Sequence, residues 1–341
     1  MSEIGVGVVG CGFVGLGAHV PAMAAIEGAR LVAVADGDPA RLSKASRKYS
    51  VGAAYADYAE LVRDPAVRAV VVAVPTPMHV PVALAAIAAG KHVLCEMPLA
   101  ARLEDVDRLG AAATKAGVCL MPGLNFRFTP SFVRAKEQLR QGAVGAVTAV
   151  HYREFIPAKD LAAQWPPGSW AWNIDQSGGP LFTLSVWAID LLRWLLDDEI
   201  ADFSAAATYG QLPQFGGTLG YDGAAALRFQ GGAVGSLLYS GTAPGPAGGC
   251  ALEILGSAAR LLVARDHHSL SLLADDPART EWNVGEPGAR QWGHQQQDEH
   301  FIRALLEGRS PAIGVADGRR AVELAQKLAR ATAPERQPLS R

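Results

Sequence analysis

The stretch Ile4-Gly5-Val6-Gly7-Val8-Val9-Gly10-Cys11-Gly12-Phe13-Val14-Gly15 constrains this chain more than any other. Gly10, Gly12 and Gly15 stand at the spacing G-x-G-x-x-G, after a Val-rich apolar run and before a helix-compatible segment. That is the context a dinucleotide-binding turn requires. Gly10 permits the tight turn, Gly12 lets the backbone approach a pyrophosphate, and Gly15 lets a helix sit close on the sheet. The N–H groups at the helix start, around Phe13 and Val14, then face the phosphate charge. A second apolar run, Leu31-Val32-Ala33-Val34-Ala35, ends at Asp36. A carboxylate there, about twenty residues beyond the glycines, reaches the adenosine ribose hydroxyls. Asp36 predicts NAD over NADP, because a carboxylate repels a 2′-phosphate. Gly37 follows where an arginine would help NADP, and Arg41 reads as a solvated helix charge.

The chain has 341 residues, which suggests two domains, and 50% are hydrophobic, enough for a substantial core. A net charge of −2 with no basic run argues against a nucleic-acid partner. Cys11, Cys95, Cys119 and Cys250 are scattered without a C-x-x-C, so neither a disulfide framework nor a metal site is expected. Met1-Ser2-Glu3 does not begin a secretion signal, and Pro or charge interrupts the apolar stretches, so no membrane span is expected. The expectation is a cytoplasmic protein acting on a small-molecule substrate.

Strands and helices alternate strictly through the first third. A helix is expected from Pro39 to Tyr49 behind Asp38 as N-cap, and an apolar strand from Val67 to Val74. Thr76-Pro77-Met78-His79 reads as a loop, residues 80–89 as a helix closed by Gly90, and Lys91–Cys95 as a strand running into Glu96-Met97-Pro98. A helix at 103–116 and a strand at 118–121 complete a doubly wound parallel sheet, an α/β Rossmann domain over residues 1–122. Beyond it, 131–141 reads as a helix, 145–155 as a strand, 157–180 as a Pro- and Trp-rich loop and 181–196 as an apolar helix. Several β-like runs between 202 and 274 predict a large, mostly antiparallel open sheet, with helices at 294–307 and 317–331 after it. Residues 123–333 are thus expected to form a second α/β domain for substrate and oligomer contacts, and 334–341 a frayed tail.

Several motifs in order resemble the Gfo/Idh/MocA oxidoreductase family over nearly the whole chain. They are Gly10-Cys11-Gly12, Thr76-Pro77 with His79, Gly90-Lys91-His92-Val93 leading into Glu96-Met97-Pro98, Asn125-Phe126-Arg127-Phe128, Gly178-Gly179-Pro180-Leu181, and Gly308-Arg309-Ser310-Pro311 before Asp317-Gly318. The resemblance implies a Rossmann domain, a second domain whose sheet often forms an oligomer interface, and NAD(P)-dependent chemistry on sugars, cyclitols and related molecules. It makes Gly10, Gly12, Phe13, Val14, Gly15, Asp36, Thr76, Pro77, His79, Glu96 and Met97 the expected cofactor-binding residues, with Glu96-Met97-Pro98 bordering the nicotinamide. Pro98 makes a cis bond possible.

The departures matter more. The family typically carries Glu-Lys-Pro where this chain has Glu96-Met97-Pro98. It also carries Asp-x-Gly-x-His-x-x-Asp on the helix behind the nicotinamide. Alignment on Gly178-Gly179 and Asp190 puts Thr183, Ser185 and Trp187 at its Asp, Gly and His positions. Met97 accepts no proton, Trp187 offers only a donor, and Thr183 is too weak a base. A positioned acid or base is worth about 10²–10⁴ in rate, so alcohol oxidation is handicapped and reduction of a carbonyl, imine or activated double bond suffers less. Thr183, Trp187, Met97 and His79 are the catalytic candidates. His151 or Tyr152, on opposite faces of one strand, and Asp175 are substitutes. Asp190, His267, His268, His294 and His300 read as structural, surface or helix residues. Trp165, Trp170, Trp172 and Trp187 suit either a packed loop or an aromatic-lined pocket for a partly apolar cyclic or sugar-like ligand. The sequence predicts an NAD(H)-dependent reductase assembled as a homodimer or homotetramer. The rival is a redox-neutral lyase or cyclase, or a non-catalytic binding protein, on the same scaffold.

Overall fold

The computed structural model describes residues 3–216, 218–265, 267–275, 280–284 and 292–332. The chain divides into two compact units, Met1–Phe128 with Gly293–Glu323, and Thr129–Trp292 with Leu324–Arg341. The linear division at residue 122 therefore gives way to a discontinuous one. The helix His294–Leu306 packs along the segment Gly15–Ala25 and belongs to the first unit's core. The expected tail at 334–341 lies outside the described residues.

The first unit holds a six-stranded parallel sheet of β1 (Ile4–Val9), β2 (Ala29–Ala35), β3 (Ala53–Tyr55), β4 (Ala69–Val72), β5 (His92–Glu96) and β6 (Leu120–Gly123), in the order β3-β2-β1-β4-β5-β6. β1 and β4 are buried along their whole length, which is why they read as unbroken apolar runs. The order reverses between β1 and β4, and a ligand crevice is expected at the carboxyl ends of strands on either side of such a switch. Thr76-Pro77-Met78-His79 is not a loop. It is the first turn of the helix Thr76–Ala88. Pro77 lies in the first turn, where its missing N–H costs nothing, and that proline obscured the start of the helix.

The second unit holds eight strands: β7 (Val147–Phe155), β8 (Ile200–Leu212), β9 (Thr218–Phe229), β10 (Val234–Ser240), β11 (Gly249–Gly256), β12 (Arg260–Arg265), β13 (Ser269–Leu273) and β14 (Thr280–Asn283). Their order is β14-β13-β12-β11-β7-β10-β9-β8, antiparallel except for the parallel pair β7–β10. The helix Pro180–Leu196 covers one face: the Tyr239 hydroxyl donates to Leu184 O at 3.1 Å, and Leu181 lies over Gly223. Residues 175–196 are long and apolar enough to cross a membrane (hydropathy 1.3), but 72% of that window is buried inside the protein. The other sheet face mixes small, apolar and polar residues, with Val234 and Leu255 exposed on it. Leu237 and Tyr239 point inward, while Ser204, Ala206, Ala224, Ala226 and Arg228 face out. The 157–180 stretch is not all loop either, since it contains the helices Ala158–Gln164 and Ile174–Ser177 and the turn Trp170–Trp172.

Candidate functional site

The glycine loop in the first unit is shaped as its spacing demands. Gly10 has φ +98°, and a Cβ there would lie 2.4 Å from Ala73 O. A Cβ on Gly15 would lie 1.8 Å from Gly10 O, so helix and turn touch through backbone alone. Gly12 differs, since a Cβ there would meet nothing closer than Arg41 Nη1 at 3.9 Å. Its absent side chain leaves open space over the loop, the feature a pyrophosphate needs, and the residues present fit that group. Phe13, beside it, is 45% exposed. The Asp36 carboxylate accepts from Cys11 N at 2.7 Å and from Asp38 N at 2.8 Å, which joins the end of β2 to the glycine loop. Asp38 caps the helix Pro39–Lys48, accepting from Ala40 N and Arg41 N.

The turn at the end of β5 is held from two sides. Met97–Pro98 is a cis peptide bond, and both Glu96 and Met97 are buried. His79, also buried, places Nδ1 2.8 Å from Pro98 O and Nε2 2.8 Å from Val74 O. Burial holds its pKa below the ordinary value, and a neutral ring donates to one of these carbonyls. Both nitrogens are occupied by backbone, so His79 fixes the turn rather than offering a free proton carrier. Thr76 is buried in the same helix turn, with Pro77 beside it.

On the other side stands His19, which the sequence analysis passed over. It ends a π-helical turn, Gly15–His19, just before the Pro21 of the helix Val20–Ala25. His19 is fully buried. Its Nε2 lies 2.9 Å from Glu96 Oε1, and its Nδ1 lies 2.9 and 3.1 Å from the two oxygens of Asp298. Burial pulls the imidazole pKa down, but Asp298 and Glu96 together outweigh it and lift it to about 10. Glu96 is pushed up by burial and brought below the ordinary value chiefly by His19. His294, expected at the surface or on a helix, is a helix residue but a buried one, with Nε2 3.6 Å from Glu96 Oε1. Among the described residues His19, Glu96 and His294 also bring three potential metal donors within 4.8 Å of one another. A ligating imidazole must give up a proton on the bound nitrogen, whereas both nitrogens of His19 face carboxylates.

In the second unit the helix Pro180–Leu196 carries Thr183, Ser185, Trp187 and Asp190. The Thr183 hydroxyl donates within its own helix start, 2.9 Å from Gly179 O and 3.3 Å from Ser177 O, and the residue is buried. Its single proton is therefore engaged within the helix start. Trp187 is half-buried one turn on. Asp190 is buried with Arg193 Nη1 at 3.7 Å. Trp165, Trp170 and Trp172 pack on one another edge to face, with centroids 5.9 and 5.7 Å from Trp165, and Trp172 Nε1 donates to Trp165 O. These three hold the segment together. His151 Nδ1 lies 2.6 Å from Ser236 Oγ, on the sheet face opposite Tyr152, and Asp175 is exposed.

Sequence reasoning also missed Glu154. It is partly buried on the face covered by Pro180–Leu196, beside Tyr152, whose hydroxyl donates to Glu154 Oε2 at 3.2 Å. Tyr239 and Cys250 are its cross-strand neighbours on β10 and β11. Burial raises its pKa to about 7, against the opposing pull of the Tyr152 and Tyr239 hydroxyls. Nearby Tyr221 is buried, and its hydroxyl has no partner among the described residues. The visible signal was a period-two run, Tyr152 then Glu154, placing a carboxylate on the inward side of a strand.

Residues 4–124 match a family model described as the oxidoreductase family, NAD-binding Rossmann fold, and residues 132–262 match the GFO/IDH/MocA C-terminal domain. Myo-inositol 2-dehydrogenase of Thermotoga maritima is 30% identical over 329 residues, covering 94% of this chain and 93% of the relative. The crystal structure of a probable dehydrogenase from Thermotoga maritima superposes with a TM-score of 0.79 at 27% identity over 96% of both chains. A levoglucosan dehydrogenase in complex with NADH and L-sorbose superposes with a TM-score of 0.79 at 25% identity over 97% of both.

Proposed function

The chain belongs to the GFO/IDH/MocA oxidoreductase family, and from that premise we propose that it is an NAD(H)-dependent enzyme with a non-standard active site. In this reading it reduces a carbonyl, imine or activated double bond of a small, partly apolar cyclic or sugar-like molecule. The relatives named for inositol and levoglucosan support a cyclic, oxygen-bearing substrate. A bound nicotinamide dinucleotide supplies or accepts the hydride. The residues of this chain do the rest. The glycine loop and Asp36 hold the adenosine end, with NAD preferred to NADP. The Glu96–Met97–Pro98 turn borders the nicotinamide. Trp187 gives the substrate a flat apolar surface where the family has an imidazole.

The observation that carries this reading is the proton inventory. Met97, Thr183 and Trp187 leave no base at the family's motif positions, while the Glu154 carboxyl is poised near neutrality. A carboxyl with a pKa of about 7 is able to give a proton in reduction and take one in oxidation, so Glu154 is the candidate whose variant tests where the proton comes from. The test is single-turnover nicotinamide absorbance with a panel of carbonyl, imine and enone acceptors, and with cyclic polyols in the reverse direction. Oxidation of NADH by one acceptor class supports the reading. Tight binding of cofactor and ligands without redox change across the panel would instead establish the redox-neutral or binding-protein alternative. We further propose a homodimer or homotetramer, joined through the flat, small-residue outer face of the second unit's sheet. A monomer by light scattering at micromolar concentration would refute that.

A further inference from the structure

We propose that His19 is a positioning residue, a buried imidazolium that ties the Glu96–Met97–Pro98 turn to the helix leaving the glycine loop, so that the two parts of the cofactor site hold one geometry. The inference rests on the proposed function for its claim that the turn borders the nicotinamide. The strut itself stands on the first unit alone.

Three observations carry it. First, the geometry uses both ring nitrogens. Nε2 faces Glu96 and Nδ1 faces Asp298, each at 2.9 Å. A carboxylate accepts and does not donate when ionised, so two carboxylates satisfy two N–H groups only if the ring carries both protons. Second, the three groups come from separate elements: the widened turn after the glycine loop, the end of β5, and the helix His294–Leu306. The charge therefore sits where these elements meet, four residues from Gly15 and one from Met97. Third, the cluster is a poor way to gain stability. Buried ion pairs often contribute less than apolar packing of equal volume. Here Gln297, one turn from His294 and wholly buried, leaves both amide atoms without a partner among the described residues. Each unsatisfied buried polar group costs about 1–3 kcal/mol. A core that retains four ionisable groups and an unpaired amide beside the cofactor loops is arranged for position rather than stability.

Every titratable neighbour is consistent with this charge state. His294 faces Glu96 with its pKa held below the ordinary value, chiefly by burial, so it adds no second cation at neutral pH. Cys95 is pushed up by burial beyond the range where it ionises. His79 meets the turn from the opposite side through Pro98 O and is likewise neutral. The turn is thus fixed at Glu96 by a cation and at Pro98 by a neutral ring.

The test separates the nicotinamide end from the adenosine end. Nitrogen-15 NMR of histidine-labelled full-length protein should show one ring with both nitrogens protonated from pH 6 to 9. A neutral tautomer for His19 at pH 7.5 would overturn the strut. So would a stoichiometric divalent metal in the purified protein that disappears in a His19 variant. H19Q leaves two buried carboxylates without their cation, so the binding arm uses H19Q/D298N, in which one charge of each sign is removed. For this variant ADP-ribose affinity should stay within about twofold of the unmodified protein, while NADH affinity falls about tenfold. Equal losses for both ligands would mean a merely structural role and overturn the proposal, as would no loss for either. If the unmodified protein binds neither ligand, the cofactor reading itself fails and the positioning role falls with it. The NMR arm then still decides whether the imidazolium exists.

Discussion

The Asp36 carboxylate accepts the Cys11 backbone N–H at 2.7 Å, so the residue expected to choose the cofactor also braces the loop that binds it. Its other oxygen holds Asp38 N at 2.8 Å. Removing the side chain therefore does two things at once. D36A should narrow the preference for NADH over NADPH, but it should also loosen the glycine loop and weaken both. A hydrogen bond to a charged group is worth about 1.5–3 kcal/mol, so NADH affinity should fall about tenfold or more. D36N keeps an acceptor for Cys11 N while losing the charge, and should narrow the preference with less overall loss. Fluorescence titration with both cofactors measures this. Equal affinity of the unmodified protein for NADH and NADPH would sink the assignment of Asp36.

The three motif glycines should respond differently to alanine. At Gly10 and Gly15 a Cβ would collide with backbone, at 2.4 Å from Ala73 O and 1.8 Å from Gly10 O, and Gly10 also has φ +98°. Both substitutions should lower the unfolding midpoint sharply. At Gly12 a Cβ meets only open space, so G12A should fold with a stability change within about 0.5 kcal/mol. It should nevertheless bind NADH at least tenfold more weakly, because the methyl occupies the space a pyrophosphate needs. Thermal unfolding and cofactor titration of the same preparations decide it. A G12A protein with normal NADH affinity would contradict the assigned role of the loop.

Thr183 and Trp187 share a helix face, yet their variants should part company. The Thr183 hydroxyl already donates to Gly179 O, so T183V loses a helix-start hydrogen bond. We expect a stability loss of about 1 kcal/mol and little change in turnover. W187A removes a half-buried aromatic surface, and should weaken substrate binding strongly while leaving NADH affinity nearly unchanged. Denaturant unfolding and steady-state kinetics on the substrate identified by the acceptor panel check both. A T183V enzyme slowed more than tenfold at unchanged KM would return the hydroxyl to the chemistry.

How much of this was legible in the sequence follows from how local each signal is. The Gly10–Gly15 spacing, the apolar parallel strands and Asp36 are short-range patterns, and the fold follows them. Thr76–His79 was misread because Pro77 resembles a loop signal when it marks a first helical turn. His19 escaped because its partners lie 77 and 279 residues away, and nothing in a lone histidine on an apolar helix names them. The discontinuous first unit escaped for the same reason, since the helix His294–Leu306 meets its neighbours through His294, Asp298, Ile302 and Leu306, none of which names a partner in the sequence. Glu154 was visible as an inward-facing residue, but its raised pKa depends on burial under the helix Pro180–Leu196, only partly offset by the Tyr152 and Tyr239 hydroxyls, a tertiary property that period-two patterning does not contain.

Glu154 gives the sharpest pH prediction. Burial raises its folded-state pKa to about 7, above the ordinary 4.5. The folded state therefore holds this proton more tightly than the unfolded chain. Its stabilising contribution is complete below about pH 4.5 and is lost as pH rises to about 7. Tyr152, Tyr221 and Tyr239, which face it, remain neutral through that window, since burial raises their own proton affinities, so they do not compensate. Between those limits the unmodified protein should lose about 2 kcal/mol relative to E154Q, which carries no titrating group; this allows for partial solvent access. Denaturant unfolding of both proteins at pH 4.5, 6 and 8 measures the difference directly. Activity should follow the same group. Reduction needs the protonated carboxyl, so kcat/KM in the reducing direction should decline above about pH 7, and the oxidising direction should gain. E154Q should lower turnover by about 10²–10⁴ and abolish the pH 7 dependence while leaving NADH affinity intact. If E154Q shows the stability difference but full turnover with an unchanged pH profile, Glu154 is a buried acid without a part in proton transfer, and the proton must come from another group or from water.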